Sequence, residues 1–351
     1  MRPECGRLLV EYTLGDSGST LDVEEIRMKG ENKHPIQIRA KEMSRRENSF
    51  ASEEIYGSGG FSYRFLWDWA KLPPEIKGFE ICGVCCDKDG YVYIATRAPG
   101  YPVAVFSPGG EWVRYIGQEV ETGSPHGIYI DEEFHIWLTD RDRHVAYEWD
   151  QDGRLLRMLG KYGCPSDTGV NDTVRDTRLI FYTEKRLGEP FNQPTRIVRA
   201  PNGDLYASDG YANTAVHHFS QEGKLLNSWG GLGTEPGKFG IVHSVWADRL
   251  GRVWIADREF DRVQVFDGEG HLIKVIDNLL YPTDVTADDH YIYIAEREGR
   301  ISIYNYDLQL TAQIGYWLSS IIPHSMAVDH NGNLFLGQLW GNYNLVKLER
   351  Q

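Results

Sequence analysis

The chain has no stretch of about 18 consecutive apolar residues, the length that a helix needs to cross a bilayer. Its N-terminus has no apolar core of the kind that marks a secretory signal peptide. We therefore expect no membrane partner and predict a cytoplasmic location. Lysine and arginine are outnumbered by acidic residues, 37 against 51, which gives a formal net charge of −14. Because phosphate binding needs a basic surface, we expect no nucleic-acid partner.

Cysteine is also scarce, with five residues in 351. Their number is odd, and three of them, Cys82, Cys85 and Cys86, fall in one short apolar segment. This usage is not that of a disulfide framework, and it favours reduced thiols.

A repeat is what the sequence does contain. Six segments share one shape, in which an apolar run of about six residues leads to Asp or a substitute. They read ICGVCCD (81–87), SPHGIYID (124–131), NQPTRIVRA (192–200), IVHSVWAD (241–248), YPTDVTAD (281–288) and IIPHSMAVD (321–329). Alignment of the six copies places one residue of each in register: Cys82, His126, Thr195, His243, Thr283 and His324.

The spacing of the copies predicts the fold. Successive copies begin 44, 69, 48, 40 and 41 residues apart, counted between the residues in register. After each copy come a turn rich in Asp, Asn and Gly and then further short alternating segments, up to four strands in all. Periods near 40 residues with four strands are typical of β-propeller blades. We therefore predict an all-β protein, a six-bladed β-propeller over 59–351, with an N-terminal arm over 1–58.

The sixth copy lacks a fourth strand, because the chain stops at Gln351. The segment SYRFLWDWAKLP (62–73) precedes the first copy and reads like the missing outer strand. We predict that 62–69 pairs with the strand near 344–349, a velcro-type closure that joins the ends of the ring and removes free edges. The longer second step contains an insertion, 162–192, which we expect over one mouth of the channel.

The histidines of the repeat fall on copies two, four and six. In a closed ring, alternate blades would then present His126, His243 and His324 to a common axis. Three imidazoles at threefold spacing suit Zn²⁺, or another divalent transition metal, with one position left open. The alternative is that they serve only as structural hydrogen-bonding groups.

The segment 204–267 resembles the NHL-repeat propellers, and among them most of all peptidyl-α-hydroxyglycine α-amidating lyase, the lyase domain of peptidylglycine amidation. The most specific motifs are Ser-Asp-Gly-Tyr-x-Asn at 208–213, Ala-Asp-Arg-Glu at 256–259 and the flanking Pro-His pairs. The resemblance covers roughly residues 60–350. It implies an NHL-type propeller and an enzyme that cleaves the C–N bond of a carbinolamide to an amide and an aldehyde acid.

The resemblance also implies roles for individual residues. His126, His243 and His324 match the zinc ligands of the family, Tyr211 matches its catalytic base, and Arg97 and Arg258 match its active-site arginines. A cation beside a phenol favours its ionised phenolate form, which is a usable base.

Two further features bear on this match. In the family an aspartate after the last histidine helps to hold a structural Ca²⁺, whereas Ser325 stands here, and this departure leaves the calcium open. The residues also allow structural roles, since Tyr211 fits a surface turn and Arg258 could brace neighbouring carboxylates.

Three functions remain open at this point. The first is a metal-dependent lyase that cleaves a C–N or C–O bond next to a hydroxyl-bearing carbon of a small-molecule or peptide-like substrate. The second is a metal-dependent hydrolase or lactonase that activates water. The third is a non-catalytic NHL scaffold that binds a protein or ligand. The sequence does not name the substrate, the metal or the oligomeric state.

Overall fold

A computed structural model describes residues 55–58, 60–171, 173–174, 176–315, 321–339 and 344–351. Most of the predicted arm, residues 1–54, lies outside this part of the chain. The described residues form 25 strands arranged in six antiparallel sheets. No helix among them is long and apolar enough to cross a membrane.

The first three blades follow the chain from inner to outer strand. They are β3 to β6 (Ile81–Cys86, Val92–Thr96, Val103–Phe106, Trp112–Ile116), β7 to β10 (Pro125–Ile130, Ile136–Asp140, Val145–Trp149, Leu155–Gly160) and β11 to β14 (Pro194–Arg199, Leu205–Asp209, Ala215–Phe219, Leu225–Gly230).

The last three blades repeat this order. They are β15 to β18 (Val242–Ala247, Val253–Asp257, Arg262–Phe266, Leu272–Ile276), β19 to β22 (Pro282–Ala287, Tyr291–Glu296, Arg300–Asn305, Leu310–Gly315) and β23 to β25 (Pro323–Val328, Leu334–Gln338, Leu345–Arg350), completed by β2 (Phe61–Leu66) and β1 (Ile55–Ser58).

The six innermost strands form a closed ring. Each of β3, β7, β11, β15, β19 and β23 contacts the innermost strand of the next blade, and β23 contacts β3. Apolar side chains from facing sheets fill the space between blades, as in the cluster that joins Tyr93 of blade one to Ile128, Leu138 and Tyr147 of blade two. The prediction of an all-β six-bladed propeller is confirmed.

Ring closure is confirmed as well. Strand β2 pairs antiparallel with β25, with Tyr63 opposite Arg350 and Phe65 opposite Leu348. Both Tyr63 and Phe65 are buried in the core of the last blade. Strand β1, which falls within the predicted arm, pairs with β2 and adds a fifth strand to this blade. Strands β1 and β2, which precede blade one in the chain, thus complete the last blade and close the ring.

In four blades the Asp that ends the repeat motif explains why the first hairpin turns where it does. One carboxylate oxygen of Asp248 accepts hydrogen bonds from the backbone amides of Leu250, at 2.9 Å, and Arg252, at 3.0 Å. Asp87, Asp131 and Asp329 make the same pair of bonds two and four residues on. Such local bonds favour turns over continued strand. They fix the register of the first hairpin and thereby the position of the inner strand at the channel.

Candidate active site

Each innermost strand has an irregular pairing at its second residue. In blade four the register shifts between Val242 and Ser244, so that His243 is the extra residue, and in blade six the shift between Pro323 and Ser325 leaves His324 extra. A bulge of this kind turns a side chain away from the regular alternation of the strand. The position that the sequence alignment placed in register is therefore the bulged position.

The three repeat histidines meet in the channel. The ring centroids of His126, His243 and His324 are 4.9, 4.7 and 4.8 Å apart, close to an equilateral triangle. One nitrogen from each ring can be chosen so that all three lie within 4.8 Å of one another. All three residues are buried. The structure thus brings together the three histidines that the repeat predicted.

The outer nitrogen of each imidazole is held by a backbone carbonyl. The Nδ1 atoms of His126, His243 and His324 lie 2.9, 2.7 and 2.7 Å from the carbonyl oxygens of Thr195, Thr283 and Cys82. With the proton on Nδ1, each Nδ1–H donates to its carbonyl and Nε2 carries the lone pair. In known metal sites, a ligating histidine is oriented in the same way, by a hydrogen bond from the ring nitrogen that does not bind the metal.

Two glycines permit this close approach of strands. A Cβ atom on Gly127 would lie 2.4 Å from the carbonyl oxygen of Thr195, the acceptor for His126. A Cβ atom on Gly210 would lie 2.0 Å from the carbonyl oxygen of Val242, beside His243. Both contacts are shorter than carbon and oxygen tolerate, so only glycine fits. Gly210 belongs to the Ser-Asp-Gly-Tyr motif and lets the loop that carries Tyr211 reach the histidines.

Burial keeps the imidazoles neutral. It lowers the pKa of His324 to about 3, and the positive charge of Arg97 adds to the effect. Burial and the neighbouring imidazoles hold the pKa of His126 well below its usual range. Burial and the charge of Arg258 do the same for His243. Neutral imidazole is the form that binds metal.

These donors fit a zinc-type cation. The Nε2 atom of His324 is buried and has no hydrogen-bond partner among the described residues. Unsatisfied buried polar atoms are uncommon, and a missing ion is one accepted reason for them. Three convergent imidazole nitrogens leave a fourth position for substrate or water.

The calcium implied by the resemblance is a different case. Below the histidines, the carboxylate of Asp284 forms an ion pair with Arg196 and accepts hydrogen bonds from Ser244 and the backbone amide of Met326. Calcium prefers six to eight oxygen ligands. Asp284 is the one carboxylate among the described residues that line this region, it is already engaged by a guanidinium, and Ser325 offers only a hydroxyl, so these residues do not fit calcium.

Tyr211 lies directly beside the triad. Its hydroxyl is 3.1 Å from Nε2 of His126 and 3.1 Å from Nε2 of His243. Nη1 of Arg258 donates to the same hydroxyl at 3.4 Å. The guanidinium carbons of Arg141 and Arg258 lie 5.4 and 5.5 Å from the centre of the tyrosine ring. Tyr211 is thus buried between two cations, with its oxygen beside the nitrogens of the candidate metal ligands.

A cavity opens above this group. Its empty volume is about 780 Å³ including the part open to solvent, and Tyr211, His324, Arg97 and Arg258 are among its lining residues. Arg97 donates to Glu80 at 2.6 Å and to the carbonyl of Pro125 at 3.4 Å. The structure therefore brings all six residues predicted from the sequence to one place: three histidines, one tyrosine and two arginines.

Other lining residues were not predicted. Arg141 lines the cavity together with Arg178 and Arg297. Their equivalent position in the repeat is the signal that could have identified two of these residues, Arg141 and Arg297. Arg97 follows β4 directly, and Arg141, Arg258 and Arg297 follow β8, β16 and β20 in the same way. Arg178 comes from the insertion, where no repeat guides its placement.

The insertion packs against the loop that carries Tyr211. Its short 3-10 helix, Ile180–Thr183, buries Ile180 and Phe181 in a cluster with Tyr211, Ala212 and Ile241. Thr177 and Arg178, just before this helix, line the cavity. The insertion therefore lies at the mouth of the channel, where the sequence predicted it.

Comparisons with known proteins agree with this geometry. No protein-family model matches the chain. Human NHL repeat-containing protein 3 is 31% identical over 258 residues, which are 69% of this chain and 69% of that protein. The chain belongs to the family of NHL repeat-containing protein 3. The prediction that it is an NHL-repeat propeller is thus confirmed.

Relatives of this NHL-repeat protein include named lyases. A probable peptidyl-α-hydroxyglycine α-amidating lyase of Caenorhabditis elegans is 24% identical over 232 residues, 61% of each chain. A streptogramin B lyase structure superposes with a TM-score of 0.58 at 13% identity, and the match covers 84% of this chain and 100% of that one. At such identity the second likeness concerns the fold alone.

Proposed function

We propose that the protein is a metal-dependent lyase of the amidating-lyase type, which cleaves a C–N bond next to a hydroxyl-bearing carbon. One observation carries the proposal: the Tyr211 hydroxyl lies 3.1 Å from the Nε2 atoms of both His126 and His243, at the floor of a cavity. A metal-ligand set and a base in contact are what this chemistry requires. The likeness to amidating lyases supports the same reaction class.

His126, His243 and His324 would hold the metal, most simply Zn²⁺. When bound, such an ion supplies a Lewis acid that polarises an oxygen atom of the substrate. The hydrogen bonds from Nδ1 to the three carbonyls orient the imidazoles before any ion arrives.

Tyr211 acts as the base. As a phenolate, it accepts the proton of the substrate hydroxyl, the oxygen forms a C=O bond, and the C–N bond breaks with its electron pair on nitrogen. The departing nitrogen takes up the proton, so that an amide and an aldehyde acid leave the site. Arg258 donates to the Tyr211 oxygen and stabilises negative charge there. Arg97 and Arg258, which line the cavity, hold anionic groups of the substrate.

The test combines metal content with turnover of N-benzoyl-α-hydroxyglycine to benzamide and glyoxylate. We expect one bound transition metal per chain, and loss of turnover on chelation. Tyr211→Phe should keep the metal and lose about 10²–10⁴-fold in turnover, the usual contribution of a general base. Tyr162→Phe, an exposed tyrosine whose hydroxyl bonds to a backbone carbonyl, is the matched control.

Other results of this test would reject the base role of Tyr211 or favour one of the two alternative functions. Wild-type turnover by Tyr211→Phe would reject the base role. Lactone hydrolysis without lyase activity would favour metal-activated water. A purified protein without transition metal would favour a binding scaffold.

A further inference from the structure

Four blades place an arginine at the same point of the repeat. Arg97, Arg141, Arg258 and Arg297 each follow the second strand of their blade directly, and all four line the cavity above the histidines. At this point blade three has Gly210, before Tyr211, and blade six has Leu339. The repeat therefore supplies two sets of residues to the channel: histidines from the innermost strands, and arginines from the loops that follow the second strands.

The four arginines fall into two pairs. Arg97 and Arg141 belong to blades one and two, which adjoin each other, and Arg258 and Arg297 belong to blades four and five, on the far side of the ring. Tyr211, from blade three, lies between the pairs, with Arg141 and Arg258 at 5.4 and 5.5 Å from its ring.

The acidic residues that pair with these arginines do not line the cavity. Glu80, Asp142 and Glu259 bond to Arg97, Arg141 and Arg258, yet no carboxylate is among the described residues that line the cavity. Arg141 and Arg258 each use Nε and Nη2 for this contact. A guanidinium has five N–H donors, so donors remain for a ligand.

Positive charge is concentrated around the cavity. Burial lowers the pKa of Arg297, and the positive charges of Arg258 and Arg178 lower it further, while the carboxylates of Glu259 and Glu298 offset only part of this effect. A cation disfavoured by its cationic neighbours is stabilised when an anion binds among them. A guanidinium pair is well suited to a carboxylate, because its planar donors match the carboxylate oxygens.

We propose that the substrate is a dicarboxylate: Arg97 and Arg141 hold one carboxylate, Arg258 and Arg297 hold the other, and the bond to be cleaved lies between them above the histidines. This rests on the proposed function and specifies it. In a carbinolamide substrate one carboxylate is that of the hydroxyglycine part, and the other is carried by the acyl part.

The binding test uses two inert probes that differ in one group. N-butyrylglycine has one carboxylate, and N-succinylglycine has a second in place of the terminal methyl. At constant ionic strength, we expect calorimetric titration of the metal-loaded protein to give a Kd about tenfold lower for N-succinylglycine. Added salt should reduce this preference.

Substitutions test whether the two arginine pairs cause the preference for N-succinylglycine. Arg141→Gln and Arg297→Gln should each remove it, whereas Arg297→Lys, which keeps the charge, should retain most of it. Arg154→Gln, at an exposed arginine paired with Asp150 on an outer turn, is the control and should bind as wild type does. Equal binding of both probes by wild type, binding of neither, or a tenfold preference that survives in both glutamine variants would overturn the proposal.

The α-hydroxy forms of the same probes separate the two claims. Preference for N-succinylglycine without turnover of either hydroxylated form would reject the lyase and keep the dicarboxylate site. Turnover of both hydroxylated forms with equal kcat/KM would keep the lyase and reject the dicarboxylate site.

Discussion

The Nδ1 atom of His126 lies 2.9 Å from the carbonyl oxygen of Thr195, the residue at the same repeat position one blade further on. His243 and His324 bond to Thr283 and Cys82 in the same way. Even-numbered blades therefore supply imidazoles, and odd-numbered blades supply the carbonyls that orient them. The alternation of the repeat builds both the candidate ligands and their supports.

Loss of one imidazole tests the metal site. His243→Ala removes one of three ligands, and we expect bound transition metal, measured by elemental analysis after purification, to fall at least tenfold. The loss follows because the two remaining nitrogens cannot complete the coordination that zinc sites require. His271→Ala, at a histidine exposed on an outer turn, should leave metal content unchanged. Full occupancy in the His243→Ala protein would contradict the site.

The blades and the histidine triad could be predicted because they repeat. A period in the sequence fixes equivalent positions, and closure of the ring then brings His126, His243 and His324 together whatever the details of each loop. The oriented carbonyls could not be predicted, because the bulge at His243 depends on strand pairing and leaves no residue signature.

Other parts of the site could not be predicted from the repeat alone. Arg141 shares its repeat position with Arg97, but it also stands beside Asp142 in a charged run that a surface turn explains equally well. Its position over the ring of Tyr211 decides between the two roles. Arg178 reaches the cavity because Phe181 anchors the insertion against Tyr211, a contact between segments about 30 residues apart in sequence.

Arg258→Lys tests the geometry of the arginine rather than its charge. Lysine keeps the positive charge but lacks the planar fork that bonds Glu259 through two nitrogens while Nη1 reaches Tyr211. We expect KM to rise about tenfold, with unchanged metal content. Arg154→Lys serves as the exposed control. Unchanged KM and kcat in Arg258→Lys would remove Arg258 from the substrate site.

Phe65→Ala tests the closure of the ring. Phe65 is buried on β2, where its ring packs against Tyr56 at 4.9 Å and Trp67 at 5.4 Å. Removal of a buried phenylalanine ring costs about 3–5 kcal/mol, which denaturant unfolding would measure. The neighbour Arg64 points to solvent and pairs with Glu349, so Arg64→Ala should cost less than about 1 kcal/mol.

Truncation tests the same strand without a point change. Deletion of residues 1–70 removes β2 and should destabilise the propeller, whereas deletion of residues 1–15 should not. Equal stability of the two truncated proteins would show that the closure contributes nothing.

Glu184 predicts a pH dependence of stability. The residue belongs to the insertion, and its carboxylate accepts hydrogen bonds from the amide and hydroxyl of Thr214, at 2.7 and 2.9 Å. Burial outweighs these bonds and raises its pKa from 4.5 to about 7. Between these two pH values the folded state binds more protons than the unfolded state. The stabilising contribution is therefore complete below pH 4.5 and is lost as pH rises through 7.

Glu184→Gln removes this titration while keeping a side chain of the same shape. Denaturant unfolding at pH 5 and at pH 8 should show that the wild type gains stability relative to the variant at the lower pH, by about 1–2 kcal/mol. The sign follows from the protonated carboxyl, which no longer carries the charge that burial penalises. A difference between the two proteins that is the same at both pH values would mean that Glu184 titrates alike in the folded and unfolded chains, and its burial would then have no energetic consequence.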